Sequence, residues 1–199
     1  MRTSPPALLP ILRSRVQGDL LALTYLNPDT EYSLTELAKT IGASVQAVHQ
    51  EVDRLVTGGL LLDRRLGPMR LVRAATDSLL SDPLTALLAV TYGPLPVLTA
   101  ALGPVAGVER AFIYGSWAAR YCGQSGPLPG DVDVLVIGTA DLDALDEVAA
   151  EARGRLNREV NIRQLRQPVW EQGSDPFVVT VRARPLVELQ IRAAPEVIA

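Results

Sequence analysis

Cysteine, histidine and lysine are almost missing from this 199-residue chain, which contains one of each: Cys122, His49 and Lys39. A single cysteine cannot form an intramolecular disulfide or a thiol redox pair. One histidine and one cysteine are too few for a zinc site. His49 also has no plausible nucleophile near it, so a hydrolase of the Ser-His-Asp type is excluded.

Charged residues are absent from the run 83–108, and the chain does not open with a basic segment followed by an apolar one. The second absence argues against secretion and predicts a cytoplasmic protein. The uncharged run is long enough to span a bilayer, but proline and glycine cut it into pieces of about ten residues. We expect core helices at a junction between two domains, and no membrane span.

The net charge of −3 hides a difference between the two parts of the chain. Residues 1–78 carry nine basic and eight acidic residues, a net charge of +1, and residues 79–199 carry ten and fourteen, a net charge of −4. The N-terminal part is therefore the better candidate for contact with phosphate groups.

The N-terminal third has the pattern of a helix-turn-helix. Apolar spacing predicts a first helix within 14–26, and a capping box with its serine at 33 opens a second helix at 34–41. Gly42 ends that helix, and Ser44 can cap a third helix at 45–57. Two short helices joined by a tight glycine turn are typical of a helix-turn-helix.

The third predicted helix has one apolar face, and its opposite face presents Gln46, Gln50 and Arg54. Glutamine can bind adenine through two hydrogen bonds in the major groove, and arginine can bind guanine or phosphate. An ordinary solvated helix face has the same composition, so this pattern leaves both interpretations open.

A predicted β-hairpin follows the third helix, with strands at 60–62 and 69–73 around Gly67-Pro68. It contains a basic cluster suited to phosphate, opposed only by Asp63. The cluster consists of Arg64, Arg65, Arg70 and Arg73.

Over residues 14–75, the order of these elements resembles the winged helix-turn-helix repressors of the ArsR-like kind. The resemblance implies binding to double-stranded DNA, with Gln46, Gln50, Arg54, Arg64, Arg65 and Arg70 as DNA-binding residues. It also implies a homodimer on a near-palindromic site. The metal-sensing cysteines of some of those repressors have no counterpart in this chain.

The C-terminal half contains two aspartates at the start of an apolar strand, 131–137. Because side chains alternate along a strand, Asp131 and Asp133 point to the same face. Two carboxylates on one face repel each other unless a cation lies between them, and Mg²⁺ suits such a pair. An earlier predicted strand, 109–114, ends at Gly115-Ser116, where a phosphate can approach the backbone.

The run from Tyr114 through Gly-Ser to the Asp-Val-Asp strand resembles the minimal nucleotidyltransferases of the DNA-polymerase-β type. The resemblance implies that Gly115 and Ser116 bind a nucleoside triphosphate. It implies that Asp131 and Asp133 are catalytic and bind Mg²⁺.

Two departures from that family's pattern bear on activity. Fourteen residues separate Ser116 from Asp131, which is longer than usual and would displace the glycine-serine turn from the carboxylates. The position expected for a third carboxylate holds Asn161, a poorer ligand for Mg²⁺. Glu159, in phase with Asn161, and Glu188, in a last strand predicted at 186–191, are possible substitutes or ordinary surface acids.

Together these patterns predict an α+β protein with a winged helix-turn-helix domain at 1–76, an apolar helical linker at 77–104 and a nucleotidyltransferase-like domain at 105–199. The leading hypothesis is a DNA-binding transcriptional regulator whose second domain binds Mg-nucleotide as sensor or effector. The alternative is an active nucleotidyltransferase that modifies a protein or a small molecule and uses the winged domain for autoregulation. A third possibility is an inactive second domain that serves dimerisation.

Overall fold

The structure is a computed structural model that describes residues 12–191. The described residues form two compact units, divided between Gly93 and Pro94, and both helices and strands occur in each. The chain is therefore α+β, as expected. The predicted linker segment 77–104 is divided between the two units. The outer ends of the predicted domains lie outside the described residues.

The first unit combines four helices with a small antiparallel sheet. Its helices are α1 (Arg15–Tyr25), α2 (Leu34–Ile41), α3 (Val45–Thr57) and α4 (Ser81–Tyr92), and its strands are β1 (Tyr32–Ser33), β2 (Leu61–Leu66) and β3 (Met69–Ala74). The strand order is β1-β3-β2, and β2 and β3 form the predicted hairpin directly after α3. The predicted helix-turn-helix and its following hairpin are thus confirmed.

Local capping explains where α2 begins and ends and where α3 begins. The Ser33 hydroxyl accepts from the backbone N–H of Glu36, and the Glu36 carboxylate accepts from the backbone N–H of Ser33, which completes the predicted capping box. Gly42 ends α2 with φ of 67°, a left-handed conformation that favours glycine. Ser44 then caps α3 through the backbone N–H of Ala47.

Helices α1 and α4 pack closely because α1 has a glycine where they meet. A Cβ atom built on Gly18 would lie 2.0 Å from the Tyr92 hydroxyl oxygen. That hydroxyl is buried and has no hydrogen-bond partner among the described residues. Gly18 therefore provides the space that the Tyr92 ring occupies.

The second unit combines five helices with a mixed sheet. Its helices are α5 (Pro94–Leu102), α6 (Gly115–Tyr121), α7 (Leu142–Leu156), α8 (Gln167–Gln172) and α9 (Pro176–Arg182), and its strands are β4 (Val108–Tyr114), β5 (Asp131–Gly138), β6 (Glu159–Leu165) and β7 (Val187–Glu188). The strand order is β6-β5-β4-β7, with β5 parallel to β6 and β4 antiparallel to both β5 and β7. The predicted last strand is shorter than expected, since β7 has two residues.

Alternation along β5 separates two apolar faces. Leu135 and Ile137 lie on the face that α8 and α9 cover, together with Phe112 and Trp170. Phe177 is partly buried against this cluster. Asp131 and Asp133 lie on the same face of β5, at the start of the strand and beyond the apolar cluster.

Residues 81–102 are, within the described range, the one helical stretch long and apolar enough to cross a membrane by length and composition. A third of its most apolar window is buried, and its mean hydropathy is 1.5. The stretch is interrupted at Gly93, where α4 ends, and α5 begins at the next residue. Core helices of globular proteins pass the same test of length and composition.

Candidate functional sites

Helix α3 exposes the polar side chains predicted to contact DNA. Gln46, Gln50 and Arg54 are exposed, whereas Val48 and Val52 on the opposite face are fully buried. Within the described range, neither glutamine side chain forms a hydrogen bond in the protein. Both amide groups are therefore available to a ligand.

Arg54 is held by a buried carboxylate that the sequence did not single out. The Oε1 atom of Glu51 accepts from Arg54 Nη1 at 3.2 Å, from Arg13 Nη2 at 2.8 Å and from the Ser14 hydroxyl at 3.2 Å. The Glu51 side chain is 6% exposed, whereas that of Arg54 is 49% exposed. Glu51 therefore fixes the orientation of Arg54 and links the start of α1 to α3.

The hairpin arginines have more acidic neighbours than the sequence suggested. Arg64 forms hydrogen bonds with both carboxylate oxygens of Glu31, and these bonds lower the pKa of Glu31. Arg65 has no ion-pair partner among the residues the structure describes, and its side chain is exposed. Of these two neighbours, Arg65 has the guanidinium more available to a phosphate group.

Arg70 connects the hairpin to helix α3. Its Nη1 atom lies 2.6 Å from Asp53 on α3, and its Nε atom lies 2.6 Å from Asp63 on β2. His49 Nδ1 lies 3.1 Å from the other oxygen of Asp53. The Arg70 hydrogen bond is the main cause that lowers the pKa of Asp53. The geometry therefore gives Arg70 a positioning role in addition to its predicted contact with phosphate.

In the second unit, strand pairing brings the glycine-serine turn to the carboxylates. Tyr114, the last residue of β4, pairs with Asp133 on β5. Gly115 follows with φ of 69°, and a Cβ atom there would lie 2.7 Å from Asp133 Oδ2. The next residue, Ser116, is exposed. Gly115 therefore touches Asp133 in a way that a residue with a side chain could not.

The long segment between Ser116 and Asp131 does not separate Gly115 from Asp133. Part of it forms α6, and an arginine holds the remainder: Arg120 donates from Nη1 to the carbonyl of Gln124 and from Nε to that of Pro127. The displacement expected from the length of this segment is not seen. The extra residues lie in a loop that ends where β5 begins.

Asn161 occupies the position beside Asp133 on the neighbouring strand. The two residues are in register between β5 and β6, and Asn161 Nδ2 donates to Asp133 Oδ1 at 3.4 Å. Burial raises the pKa of the Asp133 carboxyl, the Asn161 hydrogen bond lowers it, and the charge of Asp131 raises it further. Together these effects raise the pKa of Asp133 above its usual value.

The two acids considered as substitutes for a third carboxylate are engaged elsewhere. Glu159 is in register with Asp131 but pairs with Arg153 at 2.8 Å. Glu188 lies on β7, at the opposite side of β4 from β5, and pairs with Arg110 at 2.7 Å. In the described part of the chain, no group of three or more acidic, histidine or cysteine side chains is arranged to hold a metal ion.

Two carboxylates on one face fit Mg²⁺ when a phosphate supplies further oxygen ligands. Protein sites for Mg²⁺ commonly use one or two carboxylates, with water and substrate phosphates completing the shell. Asp131 and Asp133 would hold the ion, which would neutralise phosphate charge. Asn161, with its amide N–H groups directed to Asp133, would remain a hydrogen-bond donor.

An aromatic pair and an arginine extend this site, and none of the three was a predicted site residue. The Tyr114 and Phe177 rings meet edge to face with centroids 5.7 Å apart. Arg163 Cζ lies 3.7 Å from the centroid of Phe177. The sequence did contain one signal for Arg163. It follows Asn161 by two residues on β6, and side chains two residues apart on a strand lie on the same face.

Neither a model of a known protein family nor a curated protein matches the sequence. Solved structures similar to the chain include reduced HlyU from Vibrio cholerae, with 22% identity and a TM-score of 0.35 over 42% of this chain and 82% of that chain. A mutant MarR from E. coli has 20% identity and a TM-score of 0.34 over 42% of this chain and 62% of that chain. A homodimeric winged helix-turn-helix DNA-binding domain from Mycobacterium bovis has 21% identity and a TM-score of 0.30 over 45% of this chain and 88% of that chain. Each of these alignments leaves more than half of this chain without a counterpart.

Proposed function

We propose that the first unit binds double-stranded DNA and that the protein is a cytoplasmic transcriptional regulator acting as a homodimer. The observation that carries this proposal is the exposed pair Gln46 and Gln50 on α3, followed by a hairpin that carries the exposed Arg65; none of the three side chains has a partner within residues 12–191. Glutamine amides suit base edges, and an exposed guanidinium suits phosphate. Glu51 and Arg70 support this surface by fixing Arg54 and the hairpin.

Fluorescence anisotropy of the full chain on duplex DNA from its own promoter region tests the proposal. Gln50→Ala should change the preference among operator variants and leave affinity for unrelated DNA nearly unchanged. The matched control is Gln172→Ala, an exposed glutamine of the second unit, which should change neither. Absence of binding by the full chain at low salt would refute DNA binding.

For the second unit, the proposed function is binding of a Mg-nucleoside triphosphate as sensor or effector. The supporting observation is the contact between Gly115 and Asp133, which places a side-chain-free turn beside two carboxylates on one face. A phosphate chain can approach the backbone there, and Mg²⁺ held by Asp131 and Asp133 would neutralise part of its charge. Thermal stability should rise with nucleotide only when Mg²⁺ is present, and Asp133→Asn should abolish that rise.

Nucleotidyl transfer to a protein or a small molecule is the second candidate. The close approach of Gly115 to Asp133 favours it, whereas the neutral Asn161 beside Asp133 favours binding without transfer. Incubation with labelled nucleoside triphosphates and Mg²⁺, with and without cell lysate, distinguishes the two. A transferase labels an acceptor and loses that activity in Asp133→Asn, whereas a sensor binds nucleotide without labelling, and nucleotide alters its affinity for DNA. If Mg-nucleotide leaves stability unchanged, the dimerisation role of the second unit remains.

A further inference from the structure

Within the described part of the second unit, four arginines lie over aromatic rings. One of the four differs from the others in the hydrogen bonds of its guanidinium. Three also donate a hydrogen bond to a carboxylate or carbonyl oxygen, namely Arg110, Arg158 and Arg182. Arg163, over Phe177, has no hydrogen bond or ion pair to its guanidinium among the described residues. Its positive charge is therefore not neutralised by a carboxylate in the described part of the protein.

Arg163 lies on the face of the sheet that carries the candidate nucleotide site. It follows Asn161 by two residues on β6, and Asn161 donates to Asp133. The Phe177 ring beneath the guanidinium meets the Tyr114 ring edge to face, and Tyr114 pairs with Asp133.

Stacking on a ring uses the face of a guanidinium and leaves its edge free. The N–H groups along that edge have the spacing to bind two oxygens of one phosphate group. An aromatic ring also restricts the side chain, which reduces the entropy lost when a ligand binds. An arginine that lies over an aromatic ring, has no hydrogen-bond or ion-pair partner among the described residues and shares a sheet face with two carboxylates therefore suits a ligand that carries both anionic oxygens and a cation.

We infer that Arg163 binds a phosphate group of the ligand through two hydrogen bonds, with Phe177 holding the guanidinium in place. For a nucleotide ligand this rests on the function proposed for the second unit. In that site the ligand's negative charge is shared between Mg²⁺ at Asp131 and Asp133 and the guanidinium on β6. Arg163 thereby supplies positive charge on the strand that carries the neutral Asn161 beside Asp133.

Isothermal titration calorimetry of the full chain with inorganic tripolyphosphate and with Mg-ATP tests this assignment. Arg163→Gln should weaken both interactions by about tenfold or more, because charge-assisted hydrogen bonds are lost. Arg163→Lys keeps the charge without the paired donors, so an intermediate loss is expected. Arg155→Gln removes an exposed arginine from α7 and serves as the matched control with unchanged affinity. Tripolyphosphate is titrated once with Mg²⁺ and once with a chelator, since the Arg163 contribution should persist in both.

The two proposals fail in different ways. If wild-type protein binds no tripolyphosphate under either condition, or if Arg163→Gln binds tripolyphosphate and Mg-ATP as tightly as wild type, Arg163 is not the phosphate-binding residue. Retained Mg-ATP binding in Arg163→Gln together with its loss in Asp133→Asn would overturn the inference and leave the nucleotide site standing. Binding of tripolyphosphate that depends on Arg163, with no response to Mg-nucleotide, would support the phosphate contact and refute the proposed nucleotide function.

Discussion

Gly115 and Asp133 touch across the end of two paired strands, with 2.7 Å between the position of a Cβ on Gly115 and Asp133 Oδ2. Gly115→Ala should therefore lower the free energy of unfolding by more than the ~1–2 kcal/mol that a left-handed backbone costs an alanine. It should also weaken Mg-nucleotide binding by moving Asp133. Urea denaturation and calorimetry measure the two effects.

Gly123→Ala is the matched control, since Gly123 has φ of 83° and open space around its Cβ position. It should show the backbone cost alone. Equal losses of stability and unchanged nucleotide binding in both variants would mean that the contact with Asp133 does not constrain the site.

The raised pKa of Asp133 predicts a pH dependence of stability. In the unfolded chain this carboxyl titrates near 3.8, and burial raises its pKa in the folded protein. Between the two values the folded state binds more protons, so the free energy of unfolding contributed by this group falls as the pH rises through that window. The Asp133→Asn variant has no titrating carboxyl at this position, so its free energy of unfolding does not fall for this reason. Its stability relative to wild type should therefore increase from about pH 3.8 upward and then level off above the folded pKa. Urea titrations from pH 3.5 to 7 measure the difference, and a constant difference across that range contradicts the prediction.

Arg65 and Arg70 should affect DNA binding in different ways. Arg65→Ala removes one available phosphate contact, so the logarithmic salt slope should fall by about 0.9 with little change in stability. Arg70→Ala releases Asp53 and Asp63 at the surface beside α3, so it should weaken binding more than Arg65→Ala does. Anisotropy at several salt concentrations separates the two.

Asp53→Asn in the Arg70→Ala background should restore part of the lost affinity, because one uncompensated negative charge is removed. Arg70 acts through direct phosphate contact alone if the double variant binds DNA no better than Arg70→Ala.

The packing of α1 on α4 makes Gly18 sensitive to substitution. Gly18→Ala places a methyl group where the Tyr92 hydroxyl lies, so the free energy of unfolding should fall by about 1–3 kcal/mol. Tyr92→Phe removes a buried hydroxyl with no partner and should be neutral or stabilising by about 1 kcal/mol. Thermal denaturation followed by circular dichroism measures both. Full stability in Gly18→Ala would show that α4 can move away from α1 at no cost.

Local structure was predictable because its determinants lie close together in the sequence. The Ser33–Glu36 capping box and the glycine after α2 gave the helix bounds, and alternation placed Asp131 and Asp133 on one face. The ion pairs of Arg64 and Arg70 were not predictable, since Glu31 and Asp53 lie 33 and 17 residues away. Such contacts depend on how the elements pack, which charge counting along a segment does not include.

The candidate site shows the same division. Asn161 was expected beside Asp133 because the resemblance to the nucleotidyltransferases implies a third carboxylate at that position on the neighbouring strand. The contact between Gly115 and Asp133 was not expected from the long segment between them. Pairing of β4 with β5 sets their separation, and the number of intervening residues does not. The role of Arg163 was not predictable from its neighbours in sequence, because the ring beneath it, Phe177, lies on α9.

The loop anchored by Arg120 has a practical consequence for measurement. Since strand pairing sets the distance between Gly115 and Asp133, residues added within 123–130 should extend the loop without altering that distance. Cys122, the only cysteine of the chain, is exposed at the start of this loop, about 10 Å of helix from Gly115. A fluorophore or spin label attached to this thiol would need no engineered cysteine and would report ligand arrival directly.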